Sequence, residues 1–165
     1  MKCAVCGTEF NDIERCPNCG VLPDEELLRP QQFNLDWLGG ILGRLGYRVE
    51  VSPGEEEGLY ASHEERANLL INVDRNIGVI MIRTPWKMHG TEDGMEKEML
   101  EALNRANGLT RITTFYLDED MKSLMVYTHI TLGELISEEV ICDFLEQYDR
   151  EMVFAMGESD LLKYG

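Results

Sequence analysis

From Phe33 onward the apolar positions change period four times, between helical spacing and strict alternation. Leu35, Leu38, Ile41, Leu42 and Leu45 recur at helical spacing, with Asn34 placed as N-cap and Gly46 as stop. Gly39, Gly40 and Gly43 each weaken that helix by roughly 1 kcal/mol relative to alanine, so packing must hold it, and they offer a neighbour close approach. Tyr47-Arg48-Val49-Glu50-Val51 alternates as a strand, Leu59 to His63 forms a short one, and Leu69, Ile71 and Val73 mark another. Val79-Ile80-Met81-Ile82 is apolar on both faces, as a central strand is. Ser52-Pro53-Gly54 and Asp74-Arg75-Asn76 read as turns, and Glu55-Glu56-Glu57 as a solvated loop.

A loop is expected from Pro85 to Gly94. Met95, Met99, Ala102, Leu103 and Ala106 then mark a second helix, with Asp93 and Glu96 at capping-box spacing and Asn107-Gly108 as its stop. Ile112 to Leu117 is the next strand and Asp118-Glu119-Asp120 a turn. Leu124, Val126 and Ile130 alternate with Met125, Tyr127 and His129. Ser137 caps a final helix whose apolar stripe is Ile141, Phe144, Leu145, Tyr148 and Met152; Glu138 and Glu139 suit its dipole. The order is helix, three or four strands, helix, two strands, helix. Strands joined by short turns predict an antiparallel sheet with packed helices, an α+β domain.

Charge narrows the choice of partner. The net charge is −16, and most of it lies beyond residue 30, where 25 acidic residues face 12 basic ones. Such a field repels phosphate backbones and anionic lipid, so neither nucleic acid nor a membrane is the expected partner; a basic protein or peptide fits. No apolar run approaches the ~20 residues of a membrane span. The first twenty residues lack the apolar core of a secretory signal, which leads to a cytoplasmic expectation with reduced thiols.

That setting gives the cysteines their meaning. Cys3-x-x-Cys6 and Cys16-x-x-Cys19 supply four thiolates at the spacing of a tetrahedral metal site. Gly7 and Gly20 follow the second cysteine of each pair, and Pro17 stiffens the second turn. The expected cofactor is one structural zinc, whose closed shell leaves no position for a catalytic water. Rubredoxin-like iron and a redox dithiol use the same residue types, but the longer inter-pair segment, aromatic core and thioredoxin-like helix start that accompany them are missing. With little apolar cover beyond Val5, Phe10, Ile13 and Val21, the module depends on metal for its folding energy, on the order of 10 kcal/mol. The expected organisation is a zinc ribbon at 1–22, a linker at 23–33 between Pro23 and Pro30, and the main domain at 34–157.

The remaining candidates carry little chemistry. His63, His89 and His129 are scattered, and their spacing completes neither a triad nor a second metal site. Cys142 lies one position off an apolar stripe, as a buried free thiol does. Neither Glu55-Glu56-Glu57 nor Asp118-Glu119-Asp120 has the pattern of a calcium loop. Gly39-Gly40-x-x-Gly43 lacks the Lys-Ser/Thr of a phosphate loop. Met81, Met95, Met99, Met121, Met125, Met152 and Met156 belong mostly to the core, with a share left for an adaptable surface.

Two resemblances follow from these residues. Cys3-Ala-Val-Cys6-Gly7 and Cys16-Pro17-Asn18-Cys19-Gly20 resemble short bacterial zinc-ribbon modules. Residues 34 to 156 resemble the YbjN family, labelled sensory transduction regulators, through Leu45-Gly46-Tyr47, Leu103-Asn104-Arg105-Ala106-Asn107, Leu117-Asp118-Glu119-Asp120, the strand from Leu124 and the C-terminal helix. That family is similar in fold to type III secretion chaperones, small acidic proteins, often dimeric, that bind other polypeptides. The resemblance implies a non-enzymatic, chaperone-like or regulatory protein-binding module that forms a homodimer and captures its partner through a sheet edge or an apolar groove. The alternative is a regulatory adaptor whose ribbon docks onto a larger complex while the acidic domain transmits a signal.

Overall fold

The first helix, α1 (Leu35–Arg44), is set by its two ends. Asn34 Oδ1 accepts the Trp37 N–H at 2.7 Å. At the other end Gly46 donates to Gly43 O (3.1 Å) and Tyr47 to Leu42 O (3.0 Å), the paired bonds of a Schellman cap. Gly46 has φ 90, and a Cβ there would stand 3.0 Å from His63 Nε2. Gly46→Ala is therefore expected to lower stability by about 1–2 kcal/mol, read from the urea midpoint. The other glycines of α1 answer to no close approach: a Cβ on Gly39 would meet Val49 at 3.7 Å, and one on Gly43 nothing within 4 Å.

The structure is a computed structural model and describes residues 9, 27–28, 33–52, 58–88, 96–118, 123–132 and 136–164. Cys3, Cys6, Cys16 and Cys19, Pro53 and Gly54 of the expected turn, and Asp93 of the capping box lie outside the described residues. In chain order the elements are β1 (Leu27–Leu28), α1, β2 (Arg48–Val51), β3 (Gly58–Ser62), β4 (Leu69–Asp74), β5 (Val79–Lys87), α2 (Glu96–Leu109), β6 (Thr114–Leu117), β7 (Ser123–Thr131), β8 (Ile136–Ser137) and α3 (Glu138–Glu158). A 3-10 turn, Leu161–Tyr164, follows. Strands β2-β3-β4-β5-β7-β6 form one sheet in that order, and every neighbouring pair in it is antiparallel. The expected α+β architecture is present, with β5 and β7 inside the sheet. The two-residue strands β1 and β8 make a separate pair.

Two of the boundaries that differ from the sequence pattern have a local physical cause. The loop expected from Pro85 begins later, because β5 runs to Lys87. Beyond Arg83 that strand has left β4 behind and is paired by β7 alone, with Pro85 opposite Met125. A residue lacking an N–H is tolerated where a strand has one neighbour. The second helix also passes through Asn107-Gly108 to Leu109. Asn107 does not end its helix because its amide is engaged elsewhere: Nδ2 donates to Phe115 O (2.9 Å) and Oδ1 accepts the Phe115 N–H (2.7 Å).

The core lies on one face of the sheet. Leu59, Ile71, Ile82 and Thr128 are cross-strand neighbours on it, as are Val73, Ile80 and Ile130, and all are buried. Leu38, Ile41 and Leu42 of α1, Met99, Ala102 and Ala106 of α2, and Ile141, Leu145, Tyr148 and Met152 of α3 complete the same cluster. Tyr148 pins α3 to the sheet. Its hydroxyl lies 2.9 Å from Thr84 Oγ1 and 3.1 Å from Val126 O. The carbonyl only accepts, so Tyr148 donates to it and the Thr84 hydroxyl donates to Tyr148. Burial pushes the phenol well above its ordinary value, and it stays neutral. Beyond α3, Leu161 and Tyr164 of the 3-10 turn are also buried. The chain reaches it through Asp160 at φ 69, which pairs with Lys163 at 2.8 Å.

Glu151 of α3 holds the connection between α2 and β6. Its Oε2 accepts the Arg111 and Ile112 N–H groups at 3.1 Å each and the Thr113 hydroxyl at 3.3 Å. Burial pushes the carboxyl up. The backbone donors of Ile112 and Arg111, helped by Gln147 and Thr113, outweigh that and hold it below the usual carboxylate value.

Candidate binding surface

Alternation along each strand sends every second side chain to the face opposite the core. Cross-strand register arranges these residues in rows. One row runs Glu50, Tyr60, Leu70, Arg83, Tyr127, Thr114. A second holds Asn72, Met81 and His129, and a third Pro85, Met125 and Tyr116. Tyr60, Leu70, Met81, Met125 and Tyr127 are half-buried by their neighbours, while Tyr116 is 40% exposed. Tyr127 and His129 stack with ring centroids 6.0 Å apart. Arg83 donates to Asn72 Oδ1. Among the described residues no helix covers this face; the helix layer packs on the other.

The face also differs in charge from the rest of the chain. It carries Arg48, Arg83 and Lys87 against Glu50 and Asp74. The acidity concentrates on the helix layer, where α3 alone bears Glu138, Glu139, Asp143, Glu146, Asp149, Glu151 and Glu158. What this arrangement can do chemically is bind. Rigid aromatics and adaptable methionines supply contact area, and guanidinium and imidazole groups supply orientation.

The residues singled out from the sequence fall elsewhere. Cys3, Cys6, Cys16, Cys19 and His89 lie outside the described residues. Among the described residues no three His, Cys, Asp or Glu side chains gather as a metal site. His63 serves the local structure. Its Nδ1 accepts the Glu65 and Arg66 N–H groups at 2.9 and 3.1 Å, and its ring packs edge-on to Tyr47. It borders a shallow polar depression lined by Arg48, Ser62, Glu64, Glu65 and Asn68, in which no nucleophile meets a base. Cys142 is half-buried, and burial together with the charges of Glu138 and Asp143 pushes its thiol up, away from the reactive thiolate. Met99, Met152 and Met156 are core, as expected, whereas Met81 and Met125 stand on the open face.

Sequence reasoning did not find this face as a unit. Alternation in Met125-x-Tyr127-x-His129 shows that these residues share a side. It does not show that Leu70 and Tyr60, more than fifty residues earlier, lie in the same row. The mixed polarity of Met81-Ile82-Arg83 was the available signal.

An antiparallel sheet with helices on one side and, among the described residues, an uncovered aromatic and methionine-bearing side defines an α+β domain. The family model that matches residues 34–153 is YbjN, described as "Putative bacterial sensory transduction regulator", and the chain belongs to that family. Its fold is similar to the crystal structure of YbjN, "a putative transcription regulator from E. coli", with TM-score 0.61 at 14% identity, covering 80% of this chain and 95% of that one. It is also similar to an uncharacterized protein from Methanothermobacter thermautotrophicus, with TM-score 0.52 at 16% identity over 79% and 98% of the two chains. No curated protein sequence matches the chain. Among the described residues no helix is long and apolar enough to cross a membrane.

Proposed function

We propose that this chain is a non-enzymatic, chaperone-like or regulatory protein that holds a partner polypeptide on the open face of its sheet. The observation that carries this reading is one-sided burial: Tyr60, Leu70, Met81, Met125 and Tyr127 form a continuous surface that no helix covers among the described residues. Contact there is mainly apolar and aromatic. The field of a chain with net charge −16 draws in a partner of positive charge before contact is made. Cys3, Cys6, Cys16 and Cys19 are assigned one structural zinc by their spacing.

Native mass spectrometry of the protein purified from its own cells tests both parts. The expected result is one zinc per chain and a retained polypeptide. A metal-free chain carrying a small molecule would contradict them. The family's description as a regulator favours a second reading, in which the N-terminal ribbon is an adaptor. Deleting residues 1–22 separates the two: a binding domain keeps its polypeptide, an adaptor loses its complex.

A further inference from the structure

The two edges of the sheet are treated differently. β6 is one edge, and the Asn107 amide occupies both the N–H and the C=O of Phe115 there, in the manner of a neighbouring strand. β2 is the other edge. The Ser52 N–H donates to Gly58 O at 3.0 Å, which fixes the phase of its ladder. Glu50 with Tyr60 and Arg48 with Ser62 are then the hydrogen-bonded pairs, so the N–H and C=O groups of Val49 and Val51 point away from the sheet. Among the described residues nothing accepts or donates to them. The Val51 side chain is 74% exposed, and Arg48 and Glu50 are exposed too.

We propose that β2 pairs with β2 of a second copy of this chain, antiparallel about a two-fold axis at Val49. In that register Val49 faces Val49 of the partner subunit through their outward backbone groups. Arg48 of each copy faces Glu50 of the other, and the Val51 N–H reaches the Tyr47 carbonyl. The Tyr47 N–H is already donated to Leu42 O at 3.0 Å, so the carbonyl is the group Tyr47 has to offer. The neighbouring hydrogen-bonding register, Val49 opposite Val51, sets Glu50 against Glu50. The next, Val51 opposite Val51, aligns no opposite charges and places Val49 against Pro53, which has no N–H. Charge complementarity thus selects one register, and cross-strand pairs of opposite sign are the stabilising arrangement in antiparallel sheets. The two bodies are both acidic, but at ~150 mM salt the Debye length is about 8 Å, so their mutual repulsion is screened while the direct Arg48–Glu50 contacts persist. The dimer joins the two sheets edge to edge and sets their open faces side by side. A four-residue strand buries little area, so the association is weak.

Charge reversal reads the register directly. Sedimentation velocity on the full chain, from ~10 to ~500 μM at ~150 mM salt, should show a concentration-dependent dimer. E50R, which sets Arg against Arg, and R48E, which sets Glu against Glu, should each stay monomeric, with dissociation weakened at least tenfold and unchanged circular-dichroism melts. Mixing E50R with R48E restores opposite charges across the strand pair and should restore the dimer. A wild-type chain that stays monomeric to ~500 μM would overturn the proposal. So would single variants that dimerise as tightly as wild type, or a mixture that stays monomeric when wild type dimerises.

Discussion

Replacing Glu151 by alanine will destabilise the fold by about 2 kcal/mol, because one carboxylate oxygen accepts from two backbone N–H groups and a hydroxyl. Those donors belong to the turn between α2 and β6, and the carboxylate comes from α3, so the loss loosens three elements together. Water reaches part of the site, which keeps the cost below that of a fully buried charge. The effect has a sign in pH. The folded carboxyl titrates below its ordinary value, near 4.5. Its contribution is therefore present above about pH 4.5 and is lost as the pH falls through the lowered folded value. Glu151→Gln removes that titration and keeps a single amide oxygen. The stability gap between wild type and Glu151→Gln, measured by urea titration, should be widest at neutral pH and close toward pH 3. A gap that does not change with pH would show that the carboxylate charge plays no part.

Replacing Met125 and Tyr127 together by glutamate will weaken partner binding by roughly thirtyfold or more, while stability changes by less than about 1 kcal/mol. Both side chains are half-buried on the open face, and neither belongs to the core on the other side. A glutamate in place of Tyr127 would stand opposite Arg83, which keeps the strand pair compatible. The matched control is Phe154→Glu on the outer surface of α3, where the side chain is 54% exposed. It should leave binding unchanged. Equal losses from both variants would move the site away from the sheet.

Local features and distant contacts are unequally legible in the sequence. The helix caps at Asn34 and Ser137 were legible because capping is local: Asn34 accepts from Trp37 and Ser137 from Val140. The strands of the sheet were legible because alternation is local too. The Glu151 bonds were not, since they join residues about forty positions apart and no periodicity marks them. The Asn107-Gly108 pair misled for a related reason. Asn and Gly are a good helix stop when the asparagine side chain is free, but here it is bound to Phe115 across the turn. The 3-10 turn at Leu161–Tyr164 left no helical pattern, although Leu161 and Tyr164 are buried. The open face was legible residue by residue and illegible as a surface, because the pattern along a strand does not say which side the helices take. The cysteine spacing remains the clearest chemical signal in the chain, and its geometry lies outside the described residues.

The most direct test of binding through the sheet is site-specific photo-crosslinking in the protein's own cells. A photoreactive phenylalanine analogue replaces Tyr127 on the open face in one variant and Phe154 on α3 in another. Binding through the sheet gives a discrete crosslinked polypeptide from position 127 and none from position 154. Crosslinking from position 154 alone would contradict it and place the partner on the helix layer.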